Sequence, residues 1–510
     1  MLDYHRFYLD NGLEVIVHED HSSKIAVFNL LYKVGSRFEE KGKTGLAHFF
    51  EHLMFGSSAN VPVFDRELER VGGSCNAFTS PDITNYYITL PASNIETAFW
   101  LESDRMLQLT LSEKTIETQR KVVMEEFKQR YLNQPYGDVW HHMRSLAFET
   151  HPYQWPTIGK DLGDIEGYTR EDVWDFYKKN YHPGNAILVV AGDVTKAQIE
   201  SLSMKWFGPI PAQAKKNIFI PKEQPQQAKR TKEVAAKVPT DALYKTYKMP
   251  EKGAPGYLEA DLISDLMGFG KSSLLEQRLV KNGKIFASVG AYITGSVDPG
   301  LLVFSGKMEQ GISAKDAEKA LDEVIEEFLT QEITELSLQK IKNQGEAMKT
   351  YENVQLLNRA MNLAYYAHLG DPGLYWQEFD DKSKLNAQEI KTWASHLIQH
   401  LLNITHRQWL YRNARIHLKV AEGLTQPAHE AITSKVLTLM GTDPMELLPQ
   451  HRHLLELDFL ALGNGPTVDR QYWIKSIESA LQASGKRYRI DNMREDSVDY
   501  QKRHKRSRCL

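Results

Sequence analysis

Residues 209–239 read PIPAQAKKNIFIPKEQPQQAKRTKEVAAKVP, a stretch rich in proline, glutamine and lysine that reads as a linker. It limits the fold more than any other feature, because a similar outline of elements recurs on either side of it. Before it, YHRFYLDNGLEVIVHED patterns as strand, turn, strand, and residues 24–36 form a longer β-branched strand. Residues 45–55 take helical period, with Leu46, Phe49, Phe50 and Leu53 apolar. VGGSCNAFTS and NYYITLP then read as two strands around a turn. Helical patterns follow over 95–106 and 112–131, and GNAILVVAGDV is a strongly apolar strand. After the linker come a strand (LYKTYKM), a helix (GYLEADLISDLM), a strand pair near 287–305, and further helices. The halves share pattern rather than residue identity. The expectation is an α+β fold of two related αβ units, each a mixed or antiparallel sheet covered by helices. The boundaries drawn are 1–208, linker 209–239, 240–412, and a C-terminal extension 413–510 whose basic end is expected to be solvated and disordered. Within the extension, RQYWIKSIESALQASGKRYRI patterns as an amphipathic helix.

Composition excludes several function classes. With 510 residues, 42% hydrophobic and 25% charged, the chain has ordinary globular usage and room for two to four domains. Cys75 and Cys509 are the only cysteines, so no disulfide framework is implied and a reducing compartment fits. A net charge of −4 argues against a nucleic-acid partner. The opening MLDYHRFYLDNG has no basic region followed by an apolar run, and no apolar stretch is long enough to span a bilayer. The expectation is a cytoplasmic protein with no membrane partner, a processed periplasmic or organellar form being the alternative.

Against that background HFFEHLMF, residues 48–55, is anomalous: three polar groups interrupt an apolar helix. On a helix, positions i and i+4 lie one above the other, so His48 and His52 can direct imidazole nitrogens at one point, with Glu51 beside it. Two imidazoles are half of a zinc site, and the carboxylate is placed to take a proton from metal-bound water. Burying three such groups is costly unless something pairs them. The arrangement H-x-x-E-H is the inverse of the H-E-x-x-H motif. A catalytic zinc needs a third protein ligand, and ETQRKVVMEEFKQR offers Glu125 and Glu126. Adjacent helical residues point about 100° apart, so only one can ligate, and spacing does not choose between them.

H-x-x-E-H, then N-A-x-T near a strand pair, then V-V-x-E-E on a later helix resembles the inverzincin, or pitrilysin-type, zinc peptidases, in particular small bacterial members related to the mitochondrial processing peptidase. The resemblance spans roughly residues 3–410. It implies a zinc-dependent endopeptidase of short or unfolded peptides, one zinc per chain, built as half of a clamshell. It implies His48, His52 and Glu126, 74 residues after His52, as zinc ligands and Glu51 as general base on zinc-bound water. Asn76, Ala77, Phe78 and Thr79 match the strand that pairs with the substrate main chain, a mode that reads backbone more than side chains.

Two departures from the family pattern follow. Gln119, seven residues before Glu126, stands where many relatives carry a glutamate near the metal; an amide can still hydrogen-bond but carries no charge. The second unit of relatives supplies an arginine and a tyrosine that hold the substrate carbonyl, whereas Val280 and Ala287 align at those positions. The resemblance therefore implies a heterodimer in which a homologous chain lacking H-x-x-E-H supplies the pair, with a homodimer as the other arrangement. The competing reading is a non-catalytic scaffold subunit of such a dimer. GFGKSS, residues 268–273, is not a phosphate-binding loop, because Asp265 occupies the required glycine position; it reads as a helix end and turn.

Overall fold

The computed structural model describes residues 2–213, 218–394, 473–478 and 481. Residues 1–400 and 401–510 form separate units. Most of the C-terminal extension lies outside the described residues; within it 473–478 are helical, with Trp473, Ile474 and Ile477 buried.

The first half contains β1 (His5–Tyr8), β2 (Glu14–Glu19), β3 (Ile25–Tyr32), β4 (Ser74–Thr79), β5 (Thr84–Pro91) and β6 (Ala186–Gly192). They form one mixed sheet in the order β1-β2-β6-β3-β5-β4. The β1–β2 hairpin turns at Asn11-Gly12, where glycine takes φ +88°. Every residue of β6 is buried, as expected of AILVVAG inserted parallel to β2 and antiparallel to β3 with both faces covered.

Helices α1 (Leu46–Met54), α2 (Phe64–Arg70), α3 (Ile95–Leu107), α4 (Glu113–Phe127), α5 (Val139–Ala147), α6 (Leu162–Glu166), α7 (Arg170–Asn180) and α8 (Lys196–Trp206) complete this half. Phe28, Leu30 and Tyr32 on one face of the sheet pack with Phe49, Phe50, Phe99 and Phe207 from these helices.

After the linker, β7 (Ala242–Met249), β8 (Phe286–Ile293) and β9 (Gly300–Met308) form an antiparallel sheet in the order β7-β9-β8. It is covered by α9 (Tyr257–Gly268) and α10 (Ala314–Thr330), and followed by α11 (Glu335–Val354), α12 (Leu356–His368) and α13 (Leu374–Lys384). The strand–helix–hairpin order of β3, α1, β4 and β5 thus recurs as β7, α9, β8 and β9, and both helices start from a left-handed glycine, Gly45 and Gly256. GFGKSS is the end of α9 and the turn beyond it.

The halves are interlocked. α12 presents Ala360, Leu363, Ala364 and Ala367, a helical stripe of mostly small residues, to Ile16, Val27, Leu31 and Val189 on the other face of the first sheet. A helix from beyond the linker therefore closes the first sheet. The linker itself has no regular structure over 218–239, yet it is pinned: Glu223 accepts hydrogen bonds from the backbone of Thr150 and His151 at 2.9 Å each, and Arg230 donates to the Leu146 carbonyl at 2.9 Å. Where the β4–β5 turn meets the loop after β8, Arg37 pairs with Asp298 at 2.8 Å and Tyr153 donates to Asp82 at 2.5 Å. The Arg37–Asp298 pair and the bond from Val297 N to Asp82 at 3.2 Å tie the first half to the loop before β9.

Candidate metal centre

The apolar stripe Leu46, Phe49, Phe50 and Leu53 seats α1 against the sheet. Its start depends on two residues. Gly45 has φ +94°, and a Cβ there would lie 2.5 Å from the Ile158 carbonyl oxygen. Gly45 has no side chain to cap the helix, and Glu39 does this instead: its two oxygens accept from Gly45 N at 2.7 Å and Ala47 N at 2.8 Å. No local motif marks Glu39 as a cap, because it acts from six and eight residues away through the turn of the intervening loop.

The polar stripe of α1 faces α4. His52 Nε2 lies 3.2 Å and His48 Nε2 3.7 Å from the same oxygen, Glu126 Oε2. One ligand atom from each of the three residues lies within 4.8 Å of the other two, the only such group of His, Cys, Asp or Glu among the described residues. Glu125 points to solvent and pairs with Lys128, so of the two carboxylates only Glu126 reaches the histidines. Gln119 is half-buried two turns earlier on α4.

Burial pushes the His48 imidazole down to about 4 despite the attraction of Glu126, so it is held neutral with its lone pair available. The hydrogen bond from His52, aided by His48 and Arg130, holds Glu126 below the usual carboxylate range. Burial raises Glu51, opposed first by a 2.6 Å hydrogen bond from Thr79 Oγ1. A neutral His48, the Nε2 atoms of both histidines turned to one oxygen and a carboxylate held ionised form a donor set that fits a divalent cation of the zinc type.

β4 is an edge strand, paired only with β5 among the described residues. Cys75, Ala77 and Thr79 alternate with the more exposed Ser74, Asn76 and Phe78. Thr79 thus turns toward Glu51, and the outer edge of 76–79 pairs with no other strand among the described residues, the Ala77 N–H being turned to the Asn76 side chain at 2.9 Å. Cys75 lies 3.8 Å from Asp65, and burial, with Asp65, pushes its thiol up to about 11, which leaves it unreactive.

Of the two positions where the resemblance expects an arginine and a tyrosine, Val280 is half-buried on the wide helical turn 276–282 and Ala287 is exposed at the start of β8. The neighbouring Arg278 is held at 2.9 Å by Glu327 of α10. In α9 the register from Gly256 places Glu259, Leu262 and Ile263 where α1 has His48, Glu51 and His52, so the second unit carries no copy of the site.

Residues 14–161 match the family model described as Insulinase (Peptidase family M16), and residues 167–344 match that of the Peptidase M16 inactive domain. Zinc protease PqqE of Helicobacter pylori is 34% identical over 344 residues, which are 66% of this chain and 76% of that one. The chain belongs to peptidase family M16. A protein of Arabidopsis thaliana described as "Probable mitochondrial-processing peptidase subunit beta" is 30% identical over 201 residues, 39% of this chain and 38% of its own. Among solved structures, a protease from Helicobacter pylori superposes with a TM-score of 0.73 at 31% identity, covering 78% of this chain and 97% of that one. Pitrilysin, at 18% identity and a TM-score of 0.61, shares the fold, with 44% of its length covered. The chain thus has the architecture of one half of the M16 clamshell. No helix among the described residues is long and apolar enough to cross a membrane.

Proposed function

We propose that this M16 chain is a zinc-dependent endopeptidase for extended, unfolded peptides, with Glu51 as the general base. The observation that carries the reading is the convergence of His48, His52 and Glu126 beside Glu51, next to an open strand edge. A zinc ion held by those three would supply Lewis acidity toward a peptide carbonyl and its attacking water. Residues 76–79 bind the peptide as an added strand and bring its backbone past Glu51. Glu51 takes the proton of the attacking water and delivers it to the leaving amine. Thr79 orients the Glu51 carboxylate through the 2.6 Å hydrogen bond.

A paired assembly belongs to the same proposal. The chain covers 47% of the Escherichia coli protease PqqL but 90% of a structure of the first half of that protein, at 19% identity. A second, homologous chain would complete the shell around the substrate.

The test is zinc per chain and peptide turnover, wild type beside Glu51→Gln. About one zinc in both, with turnover lost only in the variant, is the expected result. A fully active Glu51→Gln protein, or a folded wild type that holds no zinc after resupply, would favour the scaffold role instead.

A further inference from the structure

The second unit offers no arginine or tyrosine at 280 and 287, and Arg278 is committed to Glu327. A guanidinium nonetheless lies beside the candidate metal centre, on the same helix as the third candidate ligand. α4 does not stop at Phe127 but continues as a wide turn of π type, Lys128–Leu132, a geometry that recurs at functional sites. Arg130 sits at its middle. Its Nη1 is 2.9 Å from Glu126 Oε1, while the other oxygen of that carboxylate faces His48 and His52. The side chain is otherwise 69% exposed, and Glu126 is its one recorded polar partner among the described residues. A guanidinium has five donors on a rigid fork, so one bond to Glu126 leaves others free. Lys128 is turned outward to Glu125, and Tyr131 is packed against Phe127 and His141, so neither competes for the place.

We propose that Arg130 is a catalytic residue of this chain: its free N–H groups bind the scissile carbonyl oxygen as negative charge develops there, in place of the donors missing at Val280 and Ala287. Arg130 transfers no proton; it stabilises charge. Its ion pair with Glu126 keeps the guanidinium beside the metal centre before substrate arrives. The proposal rests on the endopeptidase reading and adds that this chain carries its own oxyanion donor. The plainer role for Arg130, an ordinary i,i+4 ion pair that holds Glu126 in place, predicts a different experimental result.

The experiment uses full-length protein at saturating zinc. Two probes are compared: a peptide phosphinate, whose tetrahedral anion imitates the developing charge, and the matching amide peptide, bound in the Glu51→Gln background so that it is not cut. The readout is the ratio of the two affinities at matched zinc occupancy, measured in every sample because the phosphinate, unlike the amide, binds through the zinc; a variant that only alters folding leaves that ratio unchanged. Arg130→Gln should weaken phosphinate about 100-fold and the amide peptide by less than about threefold, and Arg130→Lys should restore part of the loss. An unchanged ratio in Arg130→Gln, with phosphinate still bound by the wild type, overturns the role of Arg130 and leaves the endopeptidase reading standing. A zinc-loaded wild type that binds neither probe overturns both.

Discussion

Glu39→Gln tests how the metal-binding helix is held. Glu39 is buried, and both its oxygens accept backbone N–H groups at the start of α1. Burial pushes its carboxyl from 4.5 up to about 8, opposed by the bonds from Ala47 and Gly45. An acid that binds its proton more tightly when folded stabilises the fold fully below 4.5, and that contribution is lost as pH rises through about 8. A rise from 4.5 to about 8, at about 1.4 kcal/mol per pH unit, amounts to on the order of 5 kcal/mol across that window. Glutamine does not titrate, but its amide NH2 must face one of the two backbone N–H groups, which costs about 1–3 kcal/mol at every pH. The variant should therefore be the less stable protein near pH 5 and match or exceed the wild type above pH 8. Urea unfolding of the zinc-free proteins at about unit steps from pH 5 to 9 measures the difference. Parallel stability curves for the two proteins would refute the reasoning, because they would mean that Glu39 titrates alike in the folded and unfolded chain.

Other perturbations follow from the packing. Glu126→Ala should weaken zinc binding by at least about 100-fold while Glu125→Ala leaves it within about twofold, read by competition with a chromophoric chelator. Arg105 is buried and paired with Glu102, with its guanidinium over the rings of Phe64 and Tyr86. Glu102→Leu strands that charge and should cost about 3–5 kcal/mol by urea unfolding, whereas Glu102→Leu with Arg105→Met should recover most of it. Ala364→Leu should cost about 1–3 kcal/mol, because α12 meets the first sheet through small side chains; a neutral effect would show that the contact is loose.

Much of the site was legible in the sequence because it obeys short-range geometry. The i, i+3, i+4 spacing of His48, Glu51 and His52 places all three on one stripe of α1 in any helix. The alternation of 74–79 marks a strand with one half-buried face. The turn at Asn11-Gly12 and the apolar runs of β3 and β6 are equally local. What spacing alone did not decide was settled by long-range packing. Glu125 and Glu126 are equivalent on an isolated helix; the approach of α4 to α1 brings one to the histidines and leaves the other in water. The edge position of β4 follows from strand order, which no strand carries within itself. The cover of α12 on the first sheet, the cap from Glu39 and the place of Arg130 at Glu126 each bind residues that become neighbours only through the fold, except the last, which is local in spacing but gains its meaning from α1 opposite. The sequence by itself determines periodicity and therefore which residues share a face; the tertiary structure determines which faces meet, because that depends on burying apolar surface over the whole chain at once.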